Sequence, residues 1–68
     1  MSEATVMVVD DNRDEAALTV RALNRAGIRA DAIHVANSGS EAIDYLIGSG
    51  QFAGRDIADQ PHLMLLDL

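Results

Sequence analysis

The sequence contains no cysteine, no lysine and no tryptophan, and it has a single proline, Pro61. Without cysteine, the chain can form neither a disulfide nor a thiolate metal site. Tyr45 and Phe52 are its only large aromatic residues, so we expect a core of aliphatic side chains and alanine. The apolar content of 49% is typical of a globular chain rather than a disordered one.

Positive charge is also scarce. Eleven acidic residues stand against five arginines, which gives a net charge of −6 at pH 7. A chain with this charge repels the phosphate backbone of nucleic acids, so we expect no nucleic-acid-binding surface.

Long apolar runs are absent as well. No window approaches the roughly 20 apolar residues that a membrane-spanning helix needs. The N-terminus, M-S-E-A-T, has an acid where a secretory signal has basic residues. We therefore expect a cytoplasmic protein without membrane contact. At 68 residues it is one small domain of marginal stability.

The most informative stretch is T-V-M-V-V-D-D, residues 5–11. Its β-branched residues without polar alternation predict a strand over residues 5–9 that is covered on both faces. Asp10 and Asp11 follow where that strand ends, and parallel sheets bind ligands at this end. Two interpretations stay open: the acids form a turn and helix start, where carboxylates are favoured, or they hold a cation.

The next segments predict a helix, a strand and a second helix. A capping-box spacing of Asn12 and Glu15 predicts a helix over residues 12–26. An apolar stripe supports this helix and comprises Leu18, Ala22, Leu23 and Ala26. A weaker pattern predicts an edge strand over residues 30–36, in which we expect His34 to be a structural residue rather than a ligand.

Ser38 and Glu41 repeat the capping-box spacing, and they predict a helix over residues 40–47. A glycine-rich loop then covers residues 48–61, in which Phe52 and Ile57 are candidate anchors.

The last predicted strand, over residues 62–67, reads H-L-M-L-L-D and ends near Asp67. Alternation of strands and helices predicts an α/β fold with three parallel strands in the order 2-1-3 and one helix on each face. Asp10, Asp11 and Asp67 would then converge at the carboxyl ends of neighbouring strands. Three carboxylates there suit Mg²⁺, which prefers oxygen ligands and often also binds phosphate oxygens.

Three motifs in this order resemble the N-terminal half of a bacterial response-regulator receiver domain, the CheY-like family with a flavodoxin-like fold. They are V-M-V-V-D-D-N, N-S-G-S-E-A-I-D-Y-L and P-H-L-M-L-L-D-L. The long loop before Pro61 is similar to that of receivers associated with bacterial phytochromes. The resemblance extends over essentially all 68 residues.

The resemblance implies specific roles for the acids. Asp67 matches the residue that accepts a phosphoryl group from a sensor histidine kinase. Asp11 matches the direct ligand of magnesium, Asp10 matches its neighbour that acts through water, and Asn12 faces the phosphorylation site.

The second half of the family fold, which supplies a hydroxyl residue and a lysine to the phosphoryl group, is not matched by these residues. We therefore expect this piece to be poorly active by itself and to form a homo-oligomer through the open edge of its third strand. Two alternatives stay open: a half-receiver that acts only as an interaction or dimerisation module, and a metal-dependent phosphatase with an aspartate nucleophile.

Overall fold

Three parallel strands form one sheet, and the first strand of the chain lies in its middle. The computed structural model describes residues 5–67. Strand β1 (Val6–Asp10) pairs with β2 (Ile33–Ala36) on one side and with β3 (Leu63–Asp67) on the other. The predicted α/β architecture with strand order 2-1-3 is confirmed.

Two helices form the crossovers between the strands. Helix α1 (Arg13–Arg25) joins β1 to β2, and helix α2 (Gly39–Ile47) leads from β2 towards β3. Both agree within one residue with the helices predicted at 12–26 and 40–47. Among residues 5–67, no helix has the length and apolar character that crossing a bilayer requires.

The two apolar strands also begin and end close to their predicted positions. The prediction at 5–9 differs from β1 by one residue at each end, and the prediction at 62–67 differs from β3 by one residue at its start. In the predicted loop 48–61, one short 3₁₀ turn, Gly50–Phe52, is regular.

The prediction of a strand over residues 30–36 was wrong for its first three residues. Ala30–Ala32 form a 3₁₀ turn, in which the amide of Ala32 donates to the carbonyl oxygen of Arg29 at 3.0 Å. Alanine and aspartate have low strand propensity, and the turn leaves β2 only four residues long.

The core is centred on β1. The four apolar residues of this strand, from Val6 to Val9, are at most 4% exposed. On one face Met7 and Val9 pack with Ala36 and with Ala42 of α2. Helix α1 packs against β1 through its buried residue, Ala16. The strand therefore has the double cover that its sequence predicts.

The stripe predicted on α1 was right for Leu23 and wrong for its other three residues. Leu18 is 62% exposed, and Ala22 and Ala26 are exposed as well. The more buried residues of this helix are Ala16, Thr19, Val20 and Leu23. These follow the i, i+3, i+4, i+7 spacing of one helix face, so the same helix is rotated relative to the prediction.

Arg55 fastens the long loop to α2. Its Nε donates to the carbonyl oxygen of Tyr45 at 2.6 Å, and its guanidinium lies 3.8 Å from the centre of the Tyr45 ring. Phe52 packs edge-on against the same ring at 5.1 Å between centroids. The predicted anchoring by Phe52 is therefore confirmed, whereas Ile57 is 53% exposed.

His34 belongs to the same aromatic cluster. Its ring stacks on Tyr45 with 4.0 Å between centroids and 17° between planes. Its Nε2 is buried and has no hydrogen-bond partner within residues 5–67. Burial lowers the pKa of His34 and the nearby Arg55 lowers it further, while Glu41 opposes the shift. His34 is therefore a half-buried member of this aromatic cluster, in the edge strand where the sequence places it.

A first prediction concerns the glycine that ends α2. Gly48 has φ +70°, and a Cβ there would lie 2.7 Å from Cγ2 of Ile57. Gly48→Ala should therefore lower the free energy of unfolding by about 1 kcal/mol or more, measured by urea denaturation. Gly39→Ala is the matched control, because Gly39 has open space around it and should lose no stability. Equal losses in both variants would contradict this explanation.

A second prediction concerns pH. Because the folded-state pKa of His34 is lowered, its contribution to stability is complete above the ordinary pKa of about 6.5 and is lost as the pH falls through the lowered value. His34→Phe keeps an aromatic ring beside Tyr45 and should reduce the loss of Tm between pH 7 and 5. The His62→Phe control still contains His34, so its Tm should still fall between pH 7 and 5 by the amount that His34 causes. An unchanged pH slope in His34→Phe would refute the assignment.

Candidate carboxylate site

The sheet register brings the two strand-end acids together. Asp10 ends β1 and Asp67 ends β3, and the two residues are direct partners in the parallel pairing. Asp10 is only 2% exposed, whereas Asp67 is exposed to solvent. One carboxylate therefore lies at the buried floor of the site, and the other is accessible from outside.

The turn after β1 positions the start of α1 beside these acids. The amide of Asn12 donates to Oδ1 of Asp10 at 2.9 Å. Oδ1 of Asn12 in turn accepts from the amides of Asp14 at 2.9 Å and Glu15 at 3.2 Å. The predicted cap by Asn12 is confirmed, and the acid pair does form a turn and helix start. In a capping box, the carboxylate of Glu15 would accept a hydrogen bond from the amide of Asn12. Here Asp10 already accepts that hydrogen bond, so Glu15 is not needed for it.

Glu15 is the site residue that sequence reasoning missed. One carboxylate oxygen from each of Asp10, Glu15 and Asp67 lies within 4.8 Å of the other two. The sequence pattern assigned Glu15 only a capping role. A usable signal was present, because a helix that is separated from a strand by only two residues has its first turn beside the end of that strand. That signal does not give the rotation of the helix, which decides whether residue 14 or residue 15 faces the acids.

The three carboxylates repel one another. The pKa of Glu15 is raised above its ordinary range, mainly by the negative charge of Asp10 and then by that of Asp67. Loss of hydration and a side-chain hydrogen bond with Asp67 contribute less. The site thus favours either a proton on Glu15 or a positive ion among the acids.

Asp11 lies outside this group of three. Its side chain is exposed, and its charge makes the smallest contribution to the raised pKa of Glu15. The predicted convergence is therefore found for Asp10 and Asp67, with Glu15 as the third member. That Asp11 binds magnesium stays a prediction.

The donor set suits a small hard cation. All three groups offer carboxylate oxygens, the ligand type that Mg²⁺ prefers. Ligands about 2.1 Å from an octahedral ion lie at most about 4.2 Å apart. Since the observed oxygens fall within 4.8 Å of one another, small side-chain adjustments would bring them into range.

A third prediction follows from the repulsion at Glu15. A carboxyl whose folded-state pKa is raised contributes most to stability below its ordinary pKa, and this contribution is lost as the pH rises through the raised value. Without divalent cations, Glu15→Gln should therefore have a higher Tm than wild type at pH 7, and the difference should shrink below about pH 4.

Asp14→Asn is the control, because it removes an acid from the same helical turn but outside the group of three. A gain in Tm that is equal in the control, or that does not change with pH, would argue against repulsion within the site.

Comparison with protein-family models, with curated proteins and with solved structures finds no significant match to this chain. The resemblance to receiver domains therefore rests on the three sequence motifs.

Proposed function

We propose that this chain is part of a receiver module of a two-component phosphorelay, in which Asp67 accepts a phosphoryl group. The observation that carries the proposal is the position of Asp67, exposed at the end of a parallel strand and beside Asp10 and Glu15. The three motifs that resemble receiver domains support the same assignment.

Exposure favours Asp67 over Asp10 as the phosphoacceptor. Asp10 is buried and its Oδ1 accepts the amide of Asn12, so an incoming donor cannot reach it easily. In the proposed step, a carboxylate oxygen of Asp67 forms a bond to phosphorus while the bond between phosphorus and the donor atom breaks. The product is an acyl phosphate, and the electron pair leaves with the donor.

Magnesium is the proposed cofactor, with Asp10, Asp11 and Asp67 as the residues that would hold it. Glu15 is an additional candidate ligand because its oxygen lies with those of Asp10 and Asp67. When bound, a divalent cation neutralises charge that builds up during phosphoryl transfer. The carboxylates of this chain supply the binding charge, and burial of Asp10 fixes one of them in place.

The proposed phosphodonor is a phosphohistidine on a sensor histidine kinase, which implies a cytoplasmic location. The net charge of −6 supports a protein partner rather than a nucleic acid. The residues that contact the phosphoryl group in the second half of the family fold are not matched here, so transfer to this piece alone should be slow.

A second candidate function is an interaction module that carries no phosphate. The exposed apolar residues of β3, among them Leu63 and Leu66, favour this alternative. Asp67→Asn separates the two functions, because it abolishes phosphorylation and leaves an association through apolar strand residues intact.

A fourth prediction tests the cation. At a Mg²⁺ concentration ten times its Kd, binding to the folded state adds about 1.4 kcal/mol of stability. For a domain of this size, Tm should rise by roughly 5–10 °C. Asp67→Asn should lose most of this rise, and Asp59→Asn, at the opposite end of the strands beside Thr5, should keep it. A rise that is the same in both variants would count against the site.

A fifth prediction tests the acceptor itself. With acetyl phosphate and Mg²⁺, a small fraction of the chain should gain one phosphoryl mass, and peptide sequencing by mass spectrometry should place it on Asp67. Asp67→Asn should gain none, whereas Asp59→Asn should match wild type. Labelling that persists in Asp67→Asn, or no labelling together with no response to Mg²⁺, would refute the proposed function.

A further inference from the structure

The ring of Tyr45 lies between two other planar groups. The imidazole of His34 stacks on it with 4.0 Å between ring centroids, and the guanidinium carbon of Arg55 lies 3.8 Å from its centre. At these distances one face of the ring has no room for both groups, so they occupy opposite faces. Phe52 meets the rings of His34 and Tyr45 edge-on, with centroid distances of 5.3 and 5.1 Å.

This aromatic cluster attaches loop 48–61 to α2. Phe52 and Arg55 belong to the loop, whereas Tyr45 belongs to α2. Arg55 donates through Nε to the carbonyl oxygen of Tyr45 at 2.6 Å. Through Nη1 it donates to the carbonyl oxygen of Asp59 at 3.0 Å. One side chain therefore connects the last turn of α2 with the second half of the loop.

The buried nitrogen of His34 has no acceptor for a proton. Nε2 is covered on all sides and has no hydrogen-bond partner among residues 5–67. A neutral imidazole can leave this atom without a proton by carrying its one proton on Nδ1. An imidazolium carries a proton on both nitrogens, so it would bury an unpaired N–H, which is costly. Because other atoms already cover Nε2, neither water nor a further segment can reach it unless the ring moves.

The surroundings of His34 also oppose a positive charge on its ring. Burial is the main cause that lowers the pKa of His34, and the charge of Arg55 across the tyrosine ring lowers it further. Glu41 of α2 acts in the opposite direction, but its Oε2 already accepts a backbone amide at 3.0 Å. Strand β1 adds no charge, because its residues that pair with β2 are Val6–Val9. The stacked position therefore favours the neutral imidazole.

A second position is available to a charged ring. A cavity of about 200 Å³ lies at the amino ends of β1 and β2, and its lining includes His34, Tyr45, Asp31 and Asp59. Both acids are exposed, so water also reaches this position. Neither acid shifts the pKa of His34 in its stacked position, so their attraction is gained only when the ring moves. Asp31 is already paired with Arg29 at 2.9 Å, and we assign the main attraction to Asp59.

We propose that protonation of His34 moves its ring from the stack into this cavity and releases loop 48–61 from α2, while the sheet stays folded. Tyr45 then loses its stacking partner and Phe52 loses one of its two ring contacts, so the ring that holds Arg55 is no longer fixed. The buried core residues of β1, β2 and α2 lie outside the cluster. The proposal uses no acid of the carboxylate site and does not rest on the proposed function.

The sequence contains its own reporter for this change. Tyr45 is the only tyrosine and the chain has no tryptophan, so its intrinsic fluorescence comes from the cluster. As the pH falls below about 6.5, tyrosine emission should change in one transition, while far-ultraviolet circular dichroism stays constant. Because one proton is taken up, the ratio of released to attached loop should rise by at most about tenfold per pH unit.

Nuclear magnetic resonance of the same chain gives the site of the proton directly. The imidazole of His34 should titrate with the midpoint of the tyrosine transition. Over the same pH range, the Nε–H signal of Arg55 should move towards that of Arg21, which is exposed on α1.

Three variants locate the effect. His34→Phe keeps a ring beside Tyr45 and takes up no proton, so its emission should stay constant between about pH 8 and 5. Asp59→Asn removes an acid of the cavity but keeps the carbonyl that accepts from Arg55, and it should lower the pH of the midpoint. Asp14→Asn makes the same change of charge on α1 and should leave the midpoint unchanged.

A tyrosine signal that stays constant while His34 titrates would overturn the proposal. A parallel loss of far-ultraviolet circular dichroism would do the same, because the whole chain then unfolds. The same transition in His34→Phe, or an unchanged midpoint in Asp59→Asn, would also overturn it. If His34→Phe does not fold, the wild-type chain decides, since the midpoints of the tyrosine and imidazole signals must coincide.

Discussion

Burial of β1 is the constraint on which the rest of this structure depends. Its four apolar residues are at most 4% exposed, with strands on both edges and a helix on each face. The same burial extends to Asp10, which is 2% exposed. A buried carboxylate is costly unless it is hydrogen-bonded or paired. The amide of Asn12 provides one hydrogen bond, and the same turn starts α1.

The turn after β1 and the acidic site share one residue, Asp10. Asp10 satisfies the backbone at the start of α1, which releases Glu15 from the capping role that its spacing indicates. Glu15 then joins Asp10 and Asp67, and the pKa of Glu15 rises because three negative groups share a small volume. A cation-binding site requires carboxylates that stay close together although they repel one another. The buried strand β1 holds Asp10 in such a position.

Strands β1 and β3 have similar sequences and different surroundings. Both are continuous apolar runs that end in aspartate, as strands buried on both faces do. Only β1 is covered, because the central position in the order 2-1-3 gives it two neighbouring strands. The exposure of Leu63 and Leu66 is the consequence.

The sequence by itself determined the order of the elements, the parallel sheet and the meeting of Asp10 with Asp67. These follow from local signals, namely apolar runs, helix caps and the handedness of crossovers. Only the tertiary structure decided the rotation of α1, which turned Leu18 outward and Glu15 towards the acids. It also decided the 3₁₀ turn at Ala30–Ala32. The reason is physical: a helix rotates to bury the face that best fits the sheet, and sequence spacing alone does not contain the shape of that sheet.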